Sequence, residues 1–279
     1  MTTAADKPDL PQTVFGMNRP SQEGTLLFFP DFGGNNLYAR PLVAQLSKEI
    51  SCYGLRFSAE MIKSFDDLSI EDIARQFAKD IISVNLTRPI HLLGYSFAAA
   101  LAFETARVME LQGASPENVW ILDLPAPVPF RARDILRNPG FHLKLTYRQL
   151  RRNWRGIFLR KPDPMILQRY GVIGFDLSAH PDSYRFIIRH LYAAYARYKA
   201  QPSSVPLTVL RADNNGSRRT ISNDLGWCRF SHGPVSAHLV PGDHLTMLRD
   251  DRNAGVIANL ISASFAGQTS VAFPNPNKN

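Results

Sequence analysis

The chain has 279 residues, 44% hydrophobic and 20% charged, a composition that supports a large core and excludes a disordered polymer. No apolar run reaches the roughly 18 residues of a membrane-spanning helix, which excludes integral membrane association, and the opening MTTAADKPDLPQ lacks the basic and apolar regions of a secretory signal. The net charge of +8 is local: residues 131–170 hold eleven of the 32 basic residues and two of the 24 acidic ones, whereas a nucleic-acid-binding surface spreads its charge more widely.

Residues 1–22 are polar, contain proline and follow no period, so they are expected to be a leader or linker. Thr25 to Pro30 is a short apolar run ended by proline, as in a strand buried on both faces. The glycine loop DFGGNN follows, then an expected helix from Leu37 to Ile50 and a second strand from Cys52 to Phe57. Ser69 caps a helix in which Ile70, Ile73, Ala74, Phe77 and Ile81 recur at helical spacing, with Asp72 three residues after the cap. Pro89 to Tyr95 is another apolar strand, and the Ala-rich helix Phe97 to Gln112 stops at Gly113. Val119 to Leu124 is the next strand. After about eighty residues come Pro206 to Arg211, Ser236 to Val240 and a last helix near Asn253 to Phe265. Strands alternating with helices imply right-handed crossovers and a mostly parallel α/β sheet over residues 23–266. A structureless loop of eighty residues is improbable, so about 128–202 are expected to be a folded, mostly helical insertion, with a tail at 267–279. Two cysteines, Cys52 and Cys228, exclude a disulfide framework and a cysteine zinc site and suit a reducing cytoplasm.

Gly94-Tyr95-Ser96-Phe97-Ala98 lies between a strand and a helix, the setting of a nucleophile elbow. There the residues two before and two after the serine must be small so that strand and helix can approach. Ala98 stands where glycine is more usual. The bland alternative is that Ser96 only caps the helix. A serine nucleophile needs a base, oriented in turn by an acid, in chain order Ser, Asp or Glu, His. His244, in the turn after the strand 236–240, is the expected base. His238 is the rival, His91 reads as structural within its strand, and His142, His180 and His190 fall in the insertion. Asp123 and Asp213 both end strands where α/β sheets bind ligands, and spacing does not choose between them. The expected oxyanion hole is the backbone N–H of Phe97 and that of Phe32, beside Gly33 and Gly34. The alternative of a phosphate loop lacks the Lys-Ser/Thr that would follow.

Taken together, FFPDFGGNNLYARPL, GYSFAA, ILDLPAP, LGW (Leu225 to Trp227) and VPGDHLTML (Val240 to Leu248) resemble the thioesterase domains that end nonribosomal peptide and polyketide synthases. The resemblance runs from about Thr25 to Phe265 and implies an α/β-hydrolase fold with a helical lid made by the insertion. It points to Asp123 as the acid, whereas free-standing editing thioesterases and general hydrolases tend to place the acid one strand later, at Asp213. It further implies a serine hydrolase that takes an acyl or peptidyl chain from the phosphopantetheine arm of a carrier protein, with no metal or organic cofactor. Whether the chain is a free protein or a terminal domain is left open.

In the insertion, Leu143, Tyr147, Leu150, Trp154, Ile157 and Phe158 form an apolar stripe, with Arg148, Arg151, Arg152 and Arg155 largely off it. Those arginines are either a solvated face, a docking surface for an acidic carrier and its phosphate, or a membrane-surface element. The competing functions are an editing thioesterase or esterase, an acyltransferase to a soluble amine or alcohol, and a non-catalytic carrier-docking protein.

Overall fold

The structure, a computed structural model, describes residues 10–19, 21–65, 67–127, 181–214 and 222–267. Among them, seven strands form one sheet: β1 (Val14–Gly16), β2 (Gly24–Phe28), β3 (Ile50–Leu55), β4 (Ile90–Tyr95), β5 (Asn118–Leu122), β6 (Leu207–Ala212) and β7 (Val235–Val240). Their spatial order is β1-β3-β2-β4-β5-β6-β7. Only β1 runs antiparallel, against β3; the remaining pairs are parallel.

The described helices are α1 (Arg40–Val43), α2 (Ala59–Lys63), α3 (Ile70–Ser83), α4 (Phe97–Leu111), α5 (Asp182–Arg197), α6 (Thr246–Arg249) and α7 (Asp251–Phe265). Every residue of β2, β3, β5 and β6 is buried, as parallel strands covered on both faces require. Successive side chains alternate between two cores. Leu27, Leu92, Ile121 and Val209 pack with α3 and α4 on one face, and Leu191 and Ala194 of α5 join that layer. Leu26, Leu93, Trp120 and Leu210 pack with Leu42 of α1 and Ile257 and Ile261 of α7 on the other. The mostly parallel α/β expectation is what the strands form.

Chain order reverses beside β2: the chain leaves it toward β3 on one side and returns as β4 on the other. Crossovers to opposite faces leave a crevice at the carboxyl ends of such a strand pair, and this is where open α/β sheets bind ligands. The loop after β2 and the turn after β4 therefore face the same opening.

Two expectations from sequence are corrected. The single helix expected over residues 37–50 is a 3₁₀ turn at Leu37–Ala39 followed by α1, which stops at Val43. Pro41 lies in the first turn of α1, and Ile50 is drawn into β3 by pairing with Gly24 of β2. The buried Leu42 and Leu46 keep helical spacing, but tertiary contacts take over the second half of the segment. Residues 1–22 include β1, with Val14 opposite Leu55 and Gly16 opposite Tyr53. That strand has three residues, too few to show a period.

Candidate active site

The turn after β4 is built for close approach. A Cβ on Gly94 would lie 2.3 Å from the backbone of Ala98 and Ala99, so strand and helix touch main chain to main chain. Ser96 takes φ +54° and ψ −130°, a region that non-glycine residues enter at a cost of order 1–3 kcal/mol. Its side chain makes no capping bond to α4, which removes the bland reading of Ser96 as a helix cap. Its N–H instead donates to the Leu122 carbonyl at 2.8 Å. Ala98 is fully buried in the α4 layer, so the methyl that replaces the motif's glycine is packed.

Asp123, the residue directly after β5, takes a second positive φ, +52°. It is fully buried, and the turn is held by hydrogen bonds that include Asp123 N–H to the Leu210 carbonyl at 2.8 Å, Ala126 N–H to the Leu225 carbonyl at 3.0 Å, Ala212 N–H to Asp123 Oδ1 at 3.3 Å, and the Trp227 indole N–H to the Leu124 carbonyl at 2.6 Å. The other carboxylate oxygen, Oδ2, lies 2.6 Å from His244 Nδ1. Of the two aspartates left open by spacing, Asp123 is the one that reaches the imidazole. Asp213 is exposed and its Oδ1 accepts from the Gly242 N–H at 3.1 Å, tethering the loop that carries His244.

That loop is itself a tight turn. Gly242 adopts φ +99°, and a Cβ there would meet the Asn253 and Thr246 side chains at 2.7 and 2.8 Å. The Asp243 carboxylate accepts from the N–H groups of Leu245 and Thr246 at 2.9 and 2.8 Å, and these bonds, the Thr246 backbone one foremost, hold its carboxyl below the ordinary range. His244 keeps 30% of its side chain exposed, so its ring spans from the buried carboxylate to the crevice. The Tyr95 ring stacks on it, with centroids 4.9 Å apart and planes 26° apart, and the Tyr95 hydroxyl donates to the His244 backbone carbonyl. Ser96 is the next residue after Tyr95. The sequence carries no signal for this contact, because Tyr95 occupies a position of the elbow where residue type is free.

Across the crevice, Asp31 folds the loop after β2, accepting from Gly33 N–H at 2.7 Å and Asn35 N–H at 3.2 Å. Burial pushes its carboxyl up, against the pull of those two amides. Phe32 stacks on Phe97 at 4.1 Å, and Tyr195 of α5 meets both rings edge-on at 6.5 and 5.7 Å. Among the described residues, neither the Phe32 nor the Phe97 backbone N–H has a hydrogen-bond partner.

The remaining candidates are placed elsewhere. His91 is buried near the amino end of β4, where it accepts from the Trp120 indole at 3.2 Å and packs on Phe265 at 4.2 Å. Burial lowers it to about 4. His238 lies within β7 opposite Leu210. His190 bonds the Phe186 carbonyl inside α5 at 2.7 Å. Arg148, Arg151, Arg152, Arg155, His142 and His180 lie outside the described residues, as does the lid expected at 128–202 up to residue 180. No group of three or more His, Cys, Asp or Glu among the described residues is placed to hold a metal ion.

A family model for the thioesterase domain matches residues 24–264. Chondramide synthase cmdD of Chondromyces crocatus is 25% identical over 261 residues, 84% of this chain and 6% of that protein. Indigoidine synthase of Dickeya dadantii is 32% identical over 109 residues, 38% of this chain and 7% of that protein. The chain thus spans less than a tenth of the length of either relative. Among solved structures, YbtT, a type II thioesterase from the yersiniabactin pathway, superposes with a TM-score of 0.65 at 18% identity, covering 92% of this chain and 100% of that one. The NocB thioesterase domain, solved as a covalent complex with a fluorophosphonate nocardicin G analog, gives 0.61 at 18% identity over 89% and 97%.

Proposed function

This chain belongs to the thioesterase domain family and has the α/β-hydrolase fold, and from that premise we propose that it releases an acyl or peptidyl chain from the phosphopantetheine thioester of a carrier protein through an ester on Ser96. The observation that carries the reading is the 2.6 Å contact between Asp123 Oδ2 and His244 Nδ1, beside the strained turn of Ser96.

With Nδ1 donating to Asp123, Nε2 is the basic nitrogen. Ser96 Oγ attacks the thioester carbonyl carbon as Nε2 takes its proton. The unpartnered N–H groups of Phe32 and Phe97 are the donors for the oxyanion that forms. Collapse breaks the C–S bond, and the proton on Nε2 goes to the departing thiolate. Water, or an amine or hydroxyl of the bound acyl or peptidyl group itself, then attacks the acyl-serine carbonyl as Nε2 takes its proton; the C–Oγ bond breaks, Nε2 returns that proton to Ser96 Oγ, and the product is linear or cyclic. The protein's own groups carry each step, so no metal or organic cofactor is invoked.

An acid directly after β5 supports chain release over editing, since editing thioesterases tend to carry theirs one strand later, at the position of Asp213. Asp123→Ala is expected to lower kcat by about 10⁴-fold, the scale on which a misplaced tautomer acts. Asp213→Ala removes one tether and should cost less than about tenfold. Reversal of that order would return the editing reading.

For Arg148, Arg151, Arg152 and Arg155 we propose carrier docking. Reversing their charge should slow turnover of carrier-bound substrate and flatten its salt dependence, leaving a small N-acetylcysteamine thioester unchanged. Equal loss on both would assign them to the fold.

A further inference from the structure

His244 stands on a loop, and its Nδ1 lies 2.6 Å from Asp123 Oδ2. Tyr95 adds two contacts to it from β4. Its ring lies nearly parallel to the imidazole, 4.9 Å away, and limits the motion of the imidazole on that side. Its hydroxyl donates to the His244 carbonyl and fixes the height of the loop. Tyr95 is in turn backed by Tyr38, whose ring is 5.4 Å away and whose hydroxyl is tied to the Phe29 carbonyl at 2.7 Å.

We propose that Tyr95 is a positioning residue that registers His244 on the peptide preceding Ser96, through the stacked ring and the hydroxyl bond to the loop carbonyl. The inference rests on Ser96 and His244 being nucleophile and base. Base and nucleophile are then referenced to adjacent residues of one rigid turn, so a shift of the β7 loop relative to the sheet cannot separate them without breaking both contacts. A displacement of about 1 Å at a reacting group can cost about 10²-fold in rate, which sets the scale of the effect.

The test compares Tyr95→Phe, which keeps the ring and removes the bond, with Tyr95→Leu, which removes both. With a small thioester, Tyr95→Phe is expected to lower kcat about tenfold at unchanged KM, and Tyr95→Leu about 10²-fold. The far-downfield proton resonance of the His244 Nδ1–H held by Asp123 gives a second readout that does not require turnover. It should be sharp in the wild-type chain, broadened in Tyr95→Phe and absent in Tyr95→Leu. Rate losses that follow melting temperature with an unchanged resonance would overturn the proposal, as would Tyr95→Phe within twofold of wild type. If the wild-type chain turned over no thioester, the functional reading would fail, while the resonance would still report on Tyr95.

Discussion

Main-chain contact at Gly94 leaves no room for a methyl group, because the atoms it would meet at 2.3 Å belong to the backbone of α4. Gly94→Ala must push strand and helix apart and is expected to cost about 1–3 kcal/mol, as overpacking does, and to relax the strained turn at Ser96. A drop in both melting temperature and kcat checks this; unchanged values would show that the elbow tolerates a gap. Ala98 behaves in the opposite sense. Its methyl is fully buried, so restoring the motif's glycine by Ala98→Gly should destabilise by about 0.5–1 kcal/mol. The two thiols are chemically quiet for a common reason: burial pushes Cys52 up to about 12 and Cys228, which also lies against the Asp224 carboxylate, to about 11. Alkylating reagents at neutral pH should therefore leave turnover intact, since the thiolate is the reactive form; inactivation by them would contradict the assignment of Ser96.

At the scale of single elements, α3 shows how a local rule suffices. Ser69 Oγ accepts from Asp72 N–H at 3.1 Å and Asp72 Oδ2 accepts from Ser69 N–H at 2.9 Å, the reciprocal box that the spacing implied. Ser69→Ala should cost about 1 kcal/mol, read as a lower denaturant midpoint at unchanged slope; no shift would mean that packing of Phe77 and Ile81 alone holds the helix start. Long, buried strands and capped helices were legible in this way because each carries its signal within its own residues. The segment 37–50 was not, since its end is decided by β3 pairing with β2, and β1 was not, since three residues exist as a strand only against β3. In the site, Ser96 and His244 could be picked by turn and chain order, whereas the choice between Asp123 and Asp213 rested on family resemblance. The fold adds what spacing lacks: a positive-φ turn at Asp123, clamped by Trp227 of the LGW segment, that aims the carboxylate inward.

Across the whole molecule, the reversal of strand order beside β2 sets the two halves of the candidate site facing each other, with the Asp31–Asn35 loop on one side and the Ser96 turn on the other. Buried His91, near the amino end of β4, also links the stability of the fold to pH. Burial holds His91 at about 4, against about 6.5 in an unfolded chain. Between those values the unfolded state binds a proton that the folded state refuses, so the part of the stability that depends on His91 is complete above about pH 6.5 and falls as pH drops toward 4. His91→Phe should flatten the slope of melting temperature against pH in that window; an unchanged slope would assign the acid sensitivity to other groups. Release through Ser96 requires a covalent ester at that one position, and mass spectrometry of the chain mixed with an acyl-loaded carrier protein reads it most directly. An adduct of the acyl mass, mapped by peptide fragmentation to Ser96 and lost in Ser96→Ala together with at least about 10³-fold of the release rate, is the predicted result. Release at the wild-type rate by Ser96→Ala, or an adduct at another residue, would contradict it.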